Sequence, residues 1–89
     1  MNSIVIVVVN SFASDARACE QLSKLLADDM CAKSHMNQLT TGQAIGDHSL
    51  ASMGAFGVKM QAARVGYVEL AAIAYAVEKS EDELLRLSR

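Results

Sequence analysis

The chain begins with the stretch MNSIVIVVVNS, in which six consecutive residues, from Ile4 to Val9, are β-branched and apolar. These residues do not alternate between apolar and polar, which predicts a strand over residues 3–9 that is buried on both faces. Asn10 and Ser11 end this strand. A strand must pair its backbone N–H and C=O groups, and no second run of similar strength follows. We therefore expect the pairing strand to come from outside the subunit.

The same run is a poor match to a targeting or membrane segment. A secretory signal peptide has an apolar core of about 7–15 residues behind a positively charged start. This run has six apolar residues and no Lys or Arg before it. The most apolar later stretch, residues 65–77, contains Glu69 and is shorter than the roughly 20 residues that a membrane span needs. We expect neither a signal peptide nor a membrane partner.

The size and composition favour an assembly over a lone subunit. The 89 residues make one small helical domain, residues 1–89, in which 52% of the residues are hydrophobic. A chain this short buries only about 60–65% of its unfolded surface, so a homodimer would hide apolar groups that a monomer exposes. The net charge of −2, with no basic run, disfavours nucleic acid as the main partner. Two cysteines do not make the disulfide framework of a secreted protein, so we expect a cytoplasmic location.

The first predicted helix runs from Phe12 or Ser14 to Met36, with Ser11 or Ser14 as its N-cap. Its apolar stripe has the spacing of three and four residues that is typical of an amphipathic helix. The stripe consists of Phe12, Ala16, Cys19, Leu22, Leu26 and Met30. Two glycines interrupt residues 37–48, which predicts an irregular connection after this helix.

The second predicted helix runs from Ser49 to Glu78, and Asp47 or Ser49 is its expected cap. It carries an unbroken heptad seam, which is the spacing of a coiled-coil or bundle interface. The seam consists of Met53, Phe56, Met60, Ala63, Tyr67, Leu70, Ala74 and Val77. Three glycines, Gly54, Gly57 and Gly66, lie inside this predicted helix. We favour small residues at a spacing of four, such as Ala62 and Gly66, as sites of close backbone approach, and the alternative is that Gly54 or Gly57 breaks the helix.

The third predicted helix, Glu81 to Leu87, is short. The preceding sequence Ser80-Glu81-Asp82-Glu83 has the Ser-x-x-Glu pattern of a capping box, which predicts that its acidic residues lie at a helix start. The acidic pair Asp28-Asp29 is read as a solvated turn.

The tail of the chain resembles the last two helices of the phage-repressor-type helix-turn-helix domain. The sequence VELAAIAYAVEKSEDELLRLSR, from Val68 to Arg89, has an Ala/Leu helix, a turn with Ser and an acidic, leucine-containing helix. The resemblance covers about a quarter of the chain and implies a DNA-binding regulator as an alternative function. The upstream segment GAFGVKMQAARVG is apolar and provides no polar recognition helix, so no DNA-contacting residue is carried over.

The sequence carries no strong catalytic or metal-binding pattern. Cys31 and His35 are four residues apart on one helix, the spacing of a Cys–His dyad, but nothing provides an oxyanion hole. Cys19 and Cys31 would lie about 18 Å apart along one helix, so they cannot share a zinc ion within a subunit. A disulfide between subunits is the minor alternative for either thiol. We expect no enzymatic activity, no metal and no cofactor.

Together these features predict a mainly α fold with one N-terminal β-strand, in the order β-α-α-α, whose helical bundle is completed by dimerisation, with antiparallel strand pairing between subunits and with the seams of the second helix packed together. The favoured function is a small non-enzymatic regulatory protein that binds another protein, such as an antiactivator that masks a bacterial transcription factor. A helix-turn-helix-like DNA-binding regulator is the alternative, and a small Cys/His enzyme is less favoured. The predicted partner or dimer interface consists of Ile4, Val5, Ile6, Val7, Val8, Met53, Phe56, Met60, Tyr67 and Leu70, with Met30 and Met36 as further apolar surface.

Overall fold

The computed structural model describes residue 12 and residues 14–88. This part of the chain contains four α-helices and no β-strand. The helices are α1, Ala16–Asp28; α2, Met30–Ile45; α3, His48–Arg64; and α4, Val68–Leu87. The mainly helical class is confirmed. The predicted strand over residues 3–9, with its interface residues Ile4 to Val8, lies outside the described residues, and dimerisation stays a prediction.

Asp29 divides the first predicted helix into two, so the prediction of one helix up to Met36 is wrong. Asp29 has extended backbone angles, φ −130° and ψ 107°, and its carboxylate accepts hydrogen bonds from the N–H groups of Cys31 and Ala32 at 2.9 and 3.2 Å. In a continuous helix these N–H groups would instead bond to backbone carbonyls one turn earlier. Asp15 caps α1 in the same way, in place of the expected serine.

The predicted irregular segment over residues 37–48 is also wrong, because α2 continues to Ile45. The helix ends at Gly46, which adopts a left-handed conformation with φ 72° that favours glycine. Asp47 then caps α3 by accepting a hydrogen bond from the N–H of Leu50 at 3.0 Å, which confirms one of the two predicted caps.

The second predicted helix is broken, but not at Gly54 or Gly57. The break follows Arg64, where Gly66 takes φ 80° and the N–H of Tyr67 bonds to the carbonyl of Ala62 at 2.9 Å. A positive φ is accessible to glycine without steric cost, which makes this glycine the natural end of the helix. The predicted heptad seam therefore does not run along a single helix.

Helix α4 is continuous from Val68 to Leu87, so the predicted separate third helix is wrong. The expected capping box, Ser80 to Glu83, lies in the middle of α4, where the backbone N–H groups already have helical partners. The two helices that the helix-turn-helix resemblance implies for this tail are thus one helix in the described structure.

Gln21 of α1 supplies the cap that α4 does not provide for itself. Tyr67 precedes α4 and makes no side-chain capping bond. Instead, the Gln21 Oε1 atom accepts from the N–H of Leu70 at 3.0 Å, and its Nε2 atom donates to Glu69 at 2.7 Å. The hydrogen bond from Gln21, and then the backbone hydrogen bond and the Arg17 charge, lower the pKa of Glu69. This amide therefore ties α1 to the start of α4.

Helix α3 lies between α2 and α4 and packs against both. Glycines make the approach to α2 unusually close. A Cβ atom added at Gly54 would overlap the backbone N of Leu39 and lie 2.6 Å from the carbonyl O of His35. A Cβ atom added at Gly42 of α2 would likewise lie 2.8 Å from Cα of Ala51. The preferred expectation, close backbone approach at a small residue, is confirmed for Gly54 and is wrong for Gly66, which lies beyond the end of α3 and has open space where a Cβ atom would be.

The core lies where the four helices meet. Its largest fully buried side chains are Phe12, Leu39, Val58 and Leu70. In α3 the buried positions are mostly small, namely Ala51, Gly54, Ala55, Gly57, Val58 and Ala62. Small residues on the buried face bring the neighbouring helices near the α3 axis and leave the larger side chains of α3 on its outer face. No helix in the described part of the chain is both long enough and apolar enough to cross a membrane.

Replacing Gly54 by alanine tests the close approach. Helix propensity alone favours alanine by about 1 kcal/mol. Because the new Cβ would meet backbone atoms of α2 that cannot rotate away, we expect a net destabilisation of about 1–3 kcal/mol, measured by urea unfolding. The matched control is Gly57→Ala, which meets the His35 side chain and should cost less because a side chain can move. A Gly54→Ala protein at least as stable as the parent would contradict this packing.

Candidate functional site

A groove of about 500 Å³ runs along the outer face of α3, between α2 and α4. Helix α3 supplies most of the lining, α2 forms one edge and α4 the other. The lining residues are His35, Gln38, Ser52, Met53, Phe56, Gly57, Met60, Gln61, Glu78 and Asp82. The groove therefore combines an apolar stretch of α3 with polar side chains from the two flanking helices.

The floor of the groove lies at Gly57 of α3, a residue that has no side chain. A Cβ atom at Gly57 would overlap the ring of His35, so the ring lies directly over the α3 backbone. The His35 ring is half-buried, and its Nδ1 atom is 3.3 Å from Oε1 of Gln38, one turn along α2. Glycine at this position sets both the depth of the groove and the place of the imidazole.

Three large apolar side chains, Met53, Phe56 and Met60, form the wall of the groove. Their exposed fractions are 57%, 47% and 45%. They are spaced three and four residues apart, so they project from one face of α3. Side chains of this size usually lie in a core, and three of them exposed side by side make a continuous apolar surface.

A lysine from α3 is held on the α4 side of this surface. The Nζ atom of Lys59 is 2.7 Å from Oε1 of Glu78, and only 22% and 15% of the two side chains are exposed. The same ammonium lies 4.6 Å from the ring centroid of Phe56 and 5.2 Å from that of Tyr75. These contacts neutralise Glu78 and fix the Phe56 ring at the edge of the groove.

Asp82, at one end of the groove, has a different environment. It is exposed and accepts a hydrogen bond from the hydroxyl of Ser52. No ion pair within 4 Å joins Asp82 to any cation of the described residues. Lys79 and Arg86 line a small neighbouring cavity with Asp82, but Lys79 faces the ring of Tyr75 and Arg86 pairs with Glu83. The groove thus ends at a carboxylate without a paired cation.

The structure places the predicted interface residues in three different settings. It brings Met53, Phe56 and Met60 together in the groove wall. Tyr67 is half-buried beside the core, and Leu70 is fully buried within the chain, so the Leu70 side chain does not form part of an exposed surface. The two further methionines also separate, because Met30 is 80% exposed whereas Met36 is buried in the core.

Sequence reasoning missed the flanking residues of the groove. The methionine and phenylalanine spacing identified the wall, but Glu78 and Asp82 were read as part of a continuing helix and of a helix cap. Their place opposite α3 follows from the turn at Gly66, which folds α4 back along α3. No local sequence signal marked the pairing of Lys59 with Glu78, which are 19 residues apart.

Glu81 lies on a different face of α4 and is buried, although the sequence suggested a solvated cap. Its side chain is 5% exposed, and its carboxylate contacts Nδ1 of His48 at 2.9 Å and Nε2 of Gln43 at 3.4 Å. The Gln43 Oε1 atom is buried and without a hydrogen-bond partner. A shallow cavity of about 380 Å³ adjoins this cluster. The three side chains join α2, α3 and α4, which is a structural role.

Among the described residues, neither cysteine is hydrogen-bonded to a histidine ring. Both cysteines are free, and the His35 ring contacts Gln38, with no hydrogen bond to Cys31. Within residues 12 and 14–88, no group of three or more His, Cys, Asp or Glu side chains comes together as a metal site would require.

Comparison of the chain with protein-family models, with curated proteins and with solved structures finds no match.

Replacing Glu81 by alanine tests the buried cluster. The change removes the acceptor of both the Gln43 amide and the His48 ring, so we expect a loss of about 1–3 kcal/mol in the free energy of unfolding. The matched control is Glu83→Ala, two residues along α4, whose exposed carboxylate pairs only with Arg86 and should change stability by less than about 0.5 kcal/mol. Equal effects of the two substitutions in urea unfolding would contradict a structural role for Glu81.

Proposed function

We propose that this chain is a small non-enzymatic regulatory protein that acts by binding another protein through the groove on α3. The observation that carries this proposal is the exposed apolar wall of Met53, Phe56 and Met60. In its most specific form, the proposal is a cytoplasmic bacterial antiactivator that masks a transcription factor.

The chemistry of the wall supports protein binding. Methionine and aromatic side chains are enriched in protein interfaces, and methionine adapts its shape to different partners because its side chain is unbranched and polarizable. The glutamines, serine and carboxylates around the wall form a polar rim, which is the usual arrangement of an interface with an apolar centre.

The charge of the groove favours a protein partner over nucleic acid. Its lining contains two carboxylates and no Lys or Arg, and the nearby Lys59 is already paired with Glu78. Phosphate groups would find no cluster of free cations there, and binding to nucleic acid depends on such clusters. The helix-turn-helix-like alternative has less support than at the sequence level, because the tail forms a single helix.

We also propose that the protein is a homodimer in which the strand containing Ile4 to Val8 pairs with the same strand of a second subunit. The support is the sequence pattern, since an unpaired strand in an apolar setting leaves backbone groups without partners at a cost of about 1–3 kcal/mol each.

A photo-crosslinking residue tests the function of the groove. Met60 is replaced by p-benzoylphenylalanine in the native cell, and we expect a covalent adduct with one other protein, identified by mass spectrometry. Met60 is already 45% exposed, so the replacement leaves the core intact. The matched control is the same replacement at Met30, which is 80% exposed but lies at the start of α2, outside the groove. Identical adducts from both positions, or no adduct from position 60, would overturn the proposal.

Light scattering coupled to gel filtration tests the dimer. We expect twice the chain mass of 9.5 kDa for the parent protein. The double variant Ile6→Asp, Val8→Asp should elute at the single chain mass, because charged side chains disfavour a strand buried on both faces. The control variant Ile45→Asp changes a residue of α2 that is 68% exposed and should remain dimeric. A parent protein that is monomeric at all concentrations would exclude the dimer.

A further inference from the structure

We propose that the groove binds an amphipathic α-helix that carries a lysine or arginine beside its apolar stripe, with the cation at Asp82. This inference rests on the proposed function and specifies the class of partner. Three features of the groove support it: the length of the apolar wall, the absence of an exposed strand edge, and the distribution of charge.

The length of the wall matches two turns of a helix. Met53 and Met60 are seven residues apart on α3, which corresponds to about 10 Å along the helix axis. A bound helix with anchors at positions i, i+3 or i+4, and i+7 presents an apolar stripe of the same length. Phe56 lies between the two methionines and gives the stripe a flat surface on which to pack.

The described residues that line the groove present no strand edge, which disfavours an extended peptide. All three elements that form the groove are helices, whose backbone N–H and C=O groups are paired internally. An extended peptide would find no row of free backbone groups there and would leave its own unpaired. A helix satisfies its own backbone and needs only side-chain contacts from the groove.

The charge distribution specifies a basic partner. Lys59 already pairs with Glu78 at 2.7 Å, so Glu78 has little remaining attraction for a ligand cation. Asp82 has no such pairing among the described residues, and the Ser52 hydroxyl fixes its carboxylate at the end of the groove. A lysine or arginine one turn beyond the apolar anchors would reach Asp82, whereas an acidic side chain there would be repelled.

A peptide selection on the full-length protein tests this inference. A phage library of random 18-residue peptides is selected on the parent protein and depleted on the variant Met53→Glu, Met60→Glu, whose two changes lie on the exposed wall. Peptides that bind only the parent bind at the groove. We expect them to share apolar residues at i, i+3 or i+4, and i+7, with a Lys or Arg flanking this stripe.

One enriched peptide is then synthesised and its affinity measured by calorimetry. We expect Asp82→Asn to weaken binding about two- to fivefold, and added salt to remove this difference, since the variant keeps the acceptor oxygen for Ser52 and loses only the charge. The matched control is Asp28→Asn, which removes the charge of an exposed carboxylate at the end of α1, outside the groove, and should leave the affinity unchanged.

The outcomes separate this inference from the proposed function. Groove-dependent peptides that are acidic, that lack the helical spacing, or that bind Asp82→Asn as tightly as the parent overturn the inference and leave a protein-binding groove intact. If no peptide distinguishes the parent from the Met53→Glu, Met60→Glu variant, both the inference and the proposed function fail.

Discussion

The close approach of α2 and α3 is the contact on which the rest of this structure depends. At Gly54 the α2 backbone occupies the space where any other residue would place its Cβ atom, and Gly42 permits the same approach from the opposite side. Because α3 buries mainly glycine and alanine, its neighbours pack near its axis, and the larger side chains of α3 remain on the outer face. The larger side chains of the core come mainly from the other helices, for example Leu25 of α1, Leu39 of α2 and Leu70 of α4.

The groove is a consequence of this packing. With the small side of α3 turned inward, Met53, Phe56 and Met60 have no core position to occupy, and they line the outside of the bundle. The third glycine, Gly57, admits the His35 ring to the floor of the groove. One face of α3 therefore stabilises the contact with α2, and the opposite face of the same helix forms the groove wall.

Polar side chains fix where the helices begin and how α4 lies against the rest. Aspartates at positions 15, 29 and 47 cap α1, α2 and α3 in turn, and Gln21 caps α4 from a different helix. The buried side chain of Glu81 then joins α4 to α2 and α3. A buried carboxylate persists only where donors satisfy it, so this cluster fixes the rotation of α4 and with it the side on which Asp82 lies.

The sequence by itself determined that the chain is mainly helical, that Asp47 or Ser49 caps a helix, that small residues along this helix permit close backbone approach, and that Met53, Phe56 and Met60 share one face. These properties follow from local periodicity and capping chemistry. The tertiary structure decided which glycine breaks a helix, that Leu70 belongs to the core, that Glu81 is buried, and that Glu78 and Asp82 flank the groove. Such outcomes depend on contacts between residues distant in the chain, and local propensities differ too little between the alternatives to choose among them.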